Sequence, residues 1–287
     1  MTNYIEEEYL DSLHYILTEG EIREDRTGVG TRGIFGLQTH YDLKKGFPAV
    51  TTKRLAWKPV VSELLWFLEG STDERRLAEI QYGYKDPSKT TIWTANADAQ
   101  GKALGHRNDD EVKELGPIYG KQWRDFGGID QIETVIHNLR HNPTSRRHII
   151  SAWNVPELPE MALPPCHVMI QFHVSNNDEL SCQLYQRSAD MFLGVPFNVA
   201  SYSLLTHMIA QICGLDVGRF VHTIGDAHIY LNHEDAVKQQ LENDPFDAPM
   251  LLMPPFKTLE ELQKTQPDDY VLLNYKNHGT IRAQMAI

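Results

Sequence analysis

The chain has 287 residues, 41% of them apolar, a formal charge of −12 and three cysteines. That length and apolar share fill one large core or two ordinary ones, and the acidic balance excludes a general affinity for nucleic acid or anionic membrane, which needs a net basic face. The odd cysteine count, with no CxxC pair, fits neither a disulfide framework nor a zinc site. With an acidic start that lacks an apolar signal core and no membrane-length apolar run, the reading is a soluble cytoplasmic protein.

In chain order, Ile5, Tyr9, Leu13, Ile16 and Leu17 fall at helical spacing and predict a helix over 4–19 that stops at Gly20. Gly28-Val29-Gly30-Thr31-Arg32-Gly33 has the glycine spacing of a dinucleotide loop, but it follows a charged run and precedes a strand-like pattern. A dinucleotide loop needs a strand before it and a helix after it, so the better reading is a flexible loop that lets Arg26 close over an anion. Ile34 to Leu43 alternates like a strand. Val60 to Leu68 is an apolar helix containing one carboxylate, Glu63, with Gly70 after it. From Tyr82 to Glu114 the chain is polar and reads as a long surface excursion around Thr91-Ile92-Trp93, the kind of segment that carries ligand contacts. Ile129 to Leu139 predicts a helix; Ile149 to Trp153, Val168 to Val174 and Leu180 to Tyr185 predict strands. Val199 to Cys213, ended by Gly214, is apolar nearly all round and predicts a central helix. Phe220 to Tyr230 returns as strand, His233 to Leu241 as helix, and a last strand lies near Tyr270 to Tyr275. Strands and helices without regular βαβ alternation point to α+β architecture, and no linker or repeat divides residues 1–287, which read as a single domain.

The densest chemistry lies between Ala162 and Ser201. Cys166 is either an inert buried thiol, the usual fate of cysteine, or a nucleophile, and Pro164 and Pro165, which hold it at the end of a rigid extended segment, favour the second. A nucleophilic thiol must ionise near neutral pH, and a cation such as Arg187 would favour the thiolate. Cys182 and Cys213 fall within apolar patterns and fit inert buried thiols. Ser145-Arg146-Arg147 is either solvated charge at a helix end or, with Arg26 and Arg187, a guanidinium cluster suited to a phosphate. Asn198 is either an N-cap of the central helix or a carboxamide whose acceptor and donors match uracil N3–H and O4. Glu63 is either a partnered structural carboxylate or a proton-handling group of raised pKa. His228 and His233, five residues apart, do not share a helical face, and no metal site is expected.

With those residues in hand, the chain resembles the thymidylate synthase family over essentially its full length. The matching blocks are Asp25-Arg26-Thr27-Gly28, Phe47-Pro48 with Thr51-Thr52-Lys53, Glu63-Leu64-Leu65-Trp66-Phe67-Leu68, Ile92-Trp93, Leu115-Gly116-Pro117-Ile118-Tyr119-Gly120 and Ser145-Arg146-Arg147. Pro165-Cys166-His167, Gln186-Arg187-Ser188, Pro196-Phe197-Asn198 and Gly225-Asp226-Ala227-His228-Ile229-Tyr230 complete the set. The resemblance implies a large mixed β-sheet packed by helices and an obligate homodimer formed through that sheet. It also implies methylation of dUMP to dTMP, with 5,10-methylenetetrahydrofolate supplying carbon and hydride and dihydrofolate as the other product. By motif match, Cys166 would add to C6 of the pyrimidine and make C5 a nucleophile toward the folate's one-carbon unit. Glu63 would relay protons through water, and Tyr119 would assist removal of the C5 proton. Arg26, Arg187 and Ser188 would bind the phosphate, joined by Arg146 and Arg147 of the other subunit. Gln186, Ala189, Asp190 and Asn198 would line the nucleotide site, Asn198 selecting uracil, with His228 and Tyr230 on the deoxyribose. Lys53, Ile92, Trp93, Asp190, Leu193, Gly194 and Phe197 would line the folate site, with Met285-Ala286-Ile287 closing over it to exclude water.

Ala56 stands where many members carry a folate-contacting histidine, and Thr94 follows Trp93 where aspartate is usual. Residues 105–114 are an insertion relative to the shortest members and receive no role. Three other functions compete. A hydroxymethylase of the same fold would quench the methylene intermediate with water and give a heavier product. A cysteine hydrolase would need no folate, and a non-catalytic nucleotide binder would form no covalent adduct.

Overall fold

In the computed structural model, which describes residues 4–25 and 28–284, helix α1 (Tyr4–Glu19) forms on the expected span. It buries Ile5, Tyr9, Leu13 and Ile16 and stops where the Gly20 N–H donates to the Ile16 carbonyl. Strands β1 (Glu21–Arg23) and β2 (Thr31–Asp42) follow, then α2 (Trp57–Glu69), closed by Gly70 in the left-handed conformation at φ 80°. Every residue of α2 from Val60 to Leu68 is buried, Glu63 among them.

The expected surface excursion over 82–114 is more ordered than its polarity suggests. Helix α3 (Glu74–Tyr82), absent from the sequence reading, leads into it, and a single turn α4 (Thr94–Asn96) continues as wider helical turns over Ala97–Gly101. Trp93, Ala97 and Gly101 are buried there. Helix α5 (Tyr119–Arg124) is likewise additional, and α6 (Gln131–His141) matches its expected span to within about a turn.

Strands β3 (Ile149–Ser151), β4 (His167–Val174) and β5 (Glu179–Asp190) lead to α7 (Val195–Cys213), after which come β6 (Asp216–Tyr230) and α8 (Glu234–Leu241). The chain closes with β7 (Met250–Leu252), α9 (Leu259–Leu262) and β8 (Val271–Leu273). The main sheet has the order β1-β2-β6-β5-β4-β3, and every neighbouring pair is antiparallel except β5 and β6. This is the expected α+β class with a large mixed sheet.

A parallel pair needs a crossover, and α7 supplies it. That explains its all-round apolarity: it packs on β5 and β6 on one side and on α2 and α6 on the other. Leu204, Leu205, Met208 and Ile209 are each fully or almost fully buried, and each contributes on the order of 1.5–3 kcal/mol by leaving water. The opposite face of the sheet is left open. Gln38, Met169, Gln183 and Tyr185 are exposed on it, and the Gln38 and Gln183 carboxamides both donate to the Thr223 hydroxyl.

Candidate active site

β5 and β6 are parallel, so both finish at the same edge of the sheet, and β4, running the other way, begins there. The register sets His167 opposite Gln186, Ser188 opposite Asp226 and Asp190 opposite His228. Cys166 sits immediately before β4, where its carbonyl accepts the Arg187 N–H at 2.9 Å. Prolines have no N–H to give, but their carbonyls remain acceptors. Arg187 uses both, donating from Nε to Pro165 and from Nη2 to Pro164, each at 2.9 Å. The guanidinium therefore staples the turn that carries the thiol. Gly225 faces Arg187 across the pair, and a Cβ there would stand 2.8 Å from the Arg187 carbonyl oxygen, so a side chain would force the strands apart.

Burial pushes the Cys166 pKa up; the Arg187 charge favours the thiolate, as expected, but is the smaller of the two effects. The Tyr119 hydroxyl accepts the Cys166 N–H at 2.7 Å. Its ring is held among Phe67 (centroids 4.9 Å apart), His167 (5.3 Å) and Trp93 (5.9 Å). Burial, and then any charge on Cys166, raises the phenol's pKa, so Tyr119 keeps its proton. Gly116, three residues earlier, turns at φ +77° with a would-be Cβ 2.1 Å from the Glu160 carbonyl oxygen, so only glycine fits the approach to α5.

Glu63 reaches the same pocket from α2. Burial raises its carboxyl to about 7, opposed by the Trp93 indole N–H, which donates to Oε1 at 2.7 Å. A carboxyl titrating there has both protonation states available at neutral pH, as a proton relay requires.

Asn198 lies in the first turn of α7 but does not cap it. Gly194 occupies the N-cap, and the Asn198 N–H donates to its carbonyl at 2.9 Å. The side chain is committed elsewhere: Asn198 Oδ1 accepts from Gln186 Nε2 at 3.2 Å, and Gln186 Oε1 is 2.8 Å from His222 Nε2. Gln186 thereby fixes the amide orientation, with the Asn198 amino group at the end that Gln186 does not engage. His167 is half-buried beside it, its pKa lowered to about 4 by desolvation with Asn198 opposing.

The turn after β5 is closed by Asp190, whose Oδ1 accepts the N–H groups of Phe192 and Leu193 at 2.9 and 3.1 Å. Lys53 points into this turn, donating to the Phe192 carbonyl with its Nζ 3.4 Å from the Phe192 ring centroid. Burial lowers the amine to about 7, with Asp190 and Glu6 opposing. Glu6 anchors the loop before Lys53, each carboxylate oxygen accepting one backbone and one hydroxyl donor from Thr51 or Thr52 at 2.5–2.9 Å. His233 stands 3.8 Å from Asp190 and 2.7 Å from the Gln284 carbonyl.

Around this turn Leu193, Gly194 and Phe197 are half-buried, Trp93 is buried and Ile92 is exposed, while Ser188 is half-buried and Ala189 buried in β5. His228 pairs with Asp226 at 3.1 Å and meets the Tyr230 ring edge-on at 5.2 Å. Arg146 and Arg147 are not brought to this edge by their own chain: they are exposed on the turn before β3, two strands removed from β5. Arg26 and Ala286 lie outside the described residues. Sequence reasoning assigns His222 and Glu6 no part in the site, and it marks His167 only as a neighbour of Cys166 and His233 only as an unsuitable metal ligand; all four are recognised here by what they touch.

Residues 7–287 match the model of the thymidylate synthase family. A thymidylate synthase of Equine herpesvirus 2 is 46% identical, with 100% of each chain covered. A probable thymidylate synthase of Escherichia phage T5 is 47% identical over 98% of this chain and 99% of its own. The crystal structure of thymidylate synthase from T4 phage superposes with a TM-score of 0.91 at 45% identity, covering 97% of this chain and 99% of that one.

Proposed function

The chain belongs to the thymidylate synthase family, methyltransferases that convert dUMP to dTMP with methylenetetrahydrofolate as co-substrate, and from that premise we propose which of its residues carry the reaction. Cys166 is the nucleophile that adds to C6 of the pyrimidine. The observation that supports this most is its seat: a proline turn stapled by Arg187, under the Tyr119 hydroxyl, one strand from the Gln186–Asn198 amide pair.

The uracil ring lies against Asn198, whose Nδ2 donates to O4 while Oδ1, held by Gln186, accepts N3–H. Arg187 and Ser188, with Arg26, take the phosphate, and His228 and Tyr230 take the deoxyribose. The phosphate reaches Arg187 on the side where the guanidinium is free of the proline carbonyls. Loss of the C5 proton falls to the Tyr119 region, with Glu63 passing protons through its near-neutral carboxyl. The folate supplies the one-carbon unit and the hydride. Trp93, Leu193 and Phe197, with exposed Ile92, offer the flat apolar surface that a fused ring needs, and the turn closed by Asp190 holds Leu193 in place. Lys53 acts from inside that turn, stiffening it through Phe192. Met285-Ala286-Ile287, outside the described residues, are assigned the exclusion of water on the family resemblance.

The functional unit is a homodimer joined through the open sheet face, with Arg146 and Arg147 given to the partner's phosphate site. Their exposure on the edge turn, away from their own chain's Arg187, supports that exchange. The relatives' names favour methyl over hydroxymethyl transfer. Incubation with dUMP and methylenetetrahydrofolate should raise dihydrofolate absorbance in step with dTMP. A hydroxymethyl product, or dTMP formation that persists in Cys166→Ser, would overturn the assignment.

A further inference from the structure

Glu74 opens α3, is 0% exposed, and touches none of the groups assigned to substrate or folate. Its Oε1 accepts from the hydroxyls of Thr91 at 2.7 Å and Thr94 at 2.5 Å. Its Oε2 accepts from Arg75 Nε at 2.7 Å and pairs with Nη2 of the same guanidinium. Arg75 donates onward to the carbonyls of Pro87 and Lys89 at 3.1 and 2.9 Å. Each threonine hydroxyl is used twice: Thr91 Oγ1 also accepts the Trp93 N–H at 3.2 Å, and Thr94 Oγ1 accepts the Thr91 N–H at 2.8 Å. The whole 91–94 turn is thus tied to one buried carboxylate, and Trp93 leaves that turn to donate to Glu63. Thr94, where the family usually carries an aspartate, has its carboxylate supplied from α3 instead.

A buried ion pair is a poor source of stability, since apolar residues of the same volume would serve the fold as well or better. What it supplies here is geometry. We propose that Glu74 is a positioning residue that, through the Thr91–Thr94 turn, holds the Trp93 indole N–H on Glu63. Tyr119 of α5 and Tyr202 of α7 also face Glu63, but burial keeps both phenols protonated, so the indole is the donor that stabilises the carboxylate form. Losing it moves the protonation of Glu63 to higher pH.

The inference rests on the proton-relay reading of Glu63, and the test separates the two. The pH profile of kcat for dTMP formation is measured for wild type, Glu74→Gln, Trp93→Phe and the double variant, with dUMP binding measured in parallel. In Glu74→Gln a single acceptor oxygen remains, so either the Arg75 guanidinium or the two threonine hydroxyls lose their acceptor, and the turn loosens. Its acid limb should move up by roughly half to one pH unit with dUMP affinity kept within about twofold; Trp93→Phe should move it equally and the double variant no further. A Glu74→Gln profile superimposed on wild type, or a shift that adds to that of Trp93→Phe, overturns the inference. Should Glu74→Gln fail to fold, Thr94→Val removes one donor and keeps the ion pair; it must shift the limb in the same direction, and a wild-type profile refutes the claim. A wild type that forms no dTMP would instead refute the proposed function.

Discussion

Replacing Asn198 by aspartate tests base selection at the end of the amide that Gln186 does not engage. Asn198 is 9% exposed, and its Oδ1 is already engaged by Gln186 at 3.2 Å, so Asn198→Asp keeps that contact and changes the other end, where two N–H donors become a lone-pair oxygen. Against dUMP the variant loses one hydrogen bond and sets a buried charged acceptor against O4. The first loss is worth about 1 kcal/mol and the second about 1–2 kcal/mol, together roughly 2–3 kcal/mol or 30- to 150-fold in kcat/KM. Against dCMP the same oxygen meets the N4 amino group and accepts from it. The loss on dUMP should exceed the gain on dCMP, because Gln186, His222 and His167 still frame the pocket around the original amide. Burial also raises the new carboxyl's pKa, and its protonated form regains a donor, so the dUMP defect should shrink as pH falls. The assay is kcat/KM for both nucleotides, in both proteins, at two pH values. An unchanged dUMP-to-dCMP ratio refutes the reasoning, and because Gly194 caps α7, a capping role for Asn198 is not available to explain the result.

Cys166→Ser should lower turnover by roughly a thousandfold or more while dUMP binding survives, whereas Cys182→Ser and Cys213→Ser, changes at thiols whose burial raises them to about 12 and about 11, should keep turnover if folded. Mixing Cys166→Ser with Arg147→Ala under conditions of subunit exchange should restore up to about a quarter of wild-type sites, since half of the dimers are mixed and each mixed dimer has one intact site; no restoration after demonstrated exchange counts against the donated arginine. Glu63 has a folded pKa of about 7 against an ordinary 4.5, so its contribution to stability is full below the unfolded value and is lost as pH rises to about 7. Glu63→Gln should therefore gain about 3 kcal/mol on wild type between pH 4.5 and 8, read by urea unfolding, and parallel pH curves would show that the carboxyl is not buried in its charged form.

The helices that periodicity revealed are those whose buried side is apolar: α1 through Ile5, Tyr9, Leu13 and Ile16, and α7 through nearly every residue. α3 escaped because its buried side includes the Glu74–Arg75 pair beside Leu77 and Ala78, so the hydrophobic period is interrupted by charges that are inside. α5 is too short to show a period and buries Gln122 together with Trp123. β5 reads as a strand only to Tyr185, yet its ladder continues to Asp190, because the residues that extend it are polar and face the site edge. Fold signal fails in this chain where polar groups are buried, and those stretches are the ones that build the site.

Residue type pointed to Cys166, Arg187, Asn198 and Glu63, but the balance of forces on them depends on contacts that composition does not carry. From the arginine alone Cys166 looks acidic; in the fold, desolvation is the largest influence on Cys166, Glu63, His167, Lys53 and Tyr119 alike, and in each it favours the neutral form. A site assembled this way carries little charge of its own. Arg187, whose Nε and one terminal nitrogen are already held by the proline carbonyls, keeps a fixed orientation toward an incoming anion and needs no reorganisation to meet it. The same desolvation that keeps Glu63 near neutrality makes transfer of its proton nearly balanced in free energy, so the group can both give and take a proton within one catalytic cycle. Burial of polar residues at the edge of the sheet thus obscures the strands in the sequence and, in the folded chain, sets the protonation states on which the proposed chemistry depends.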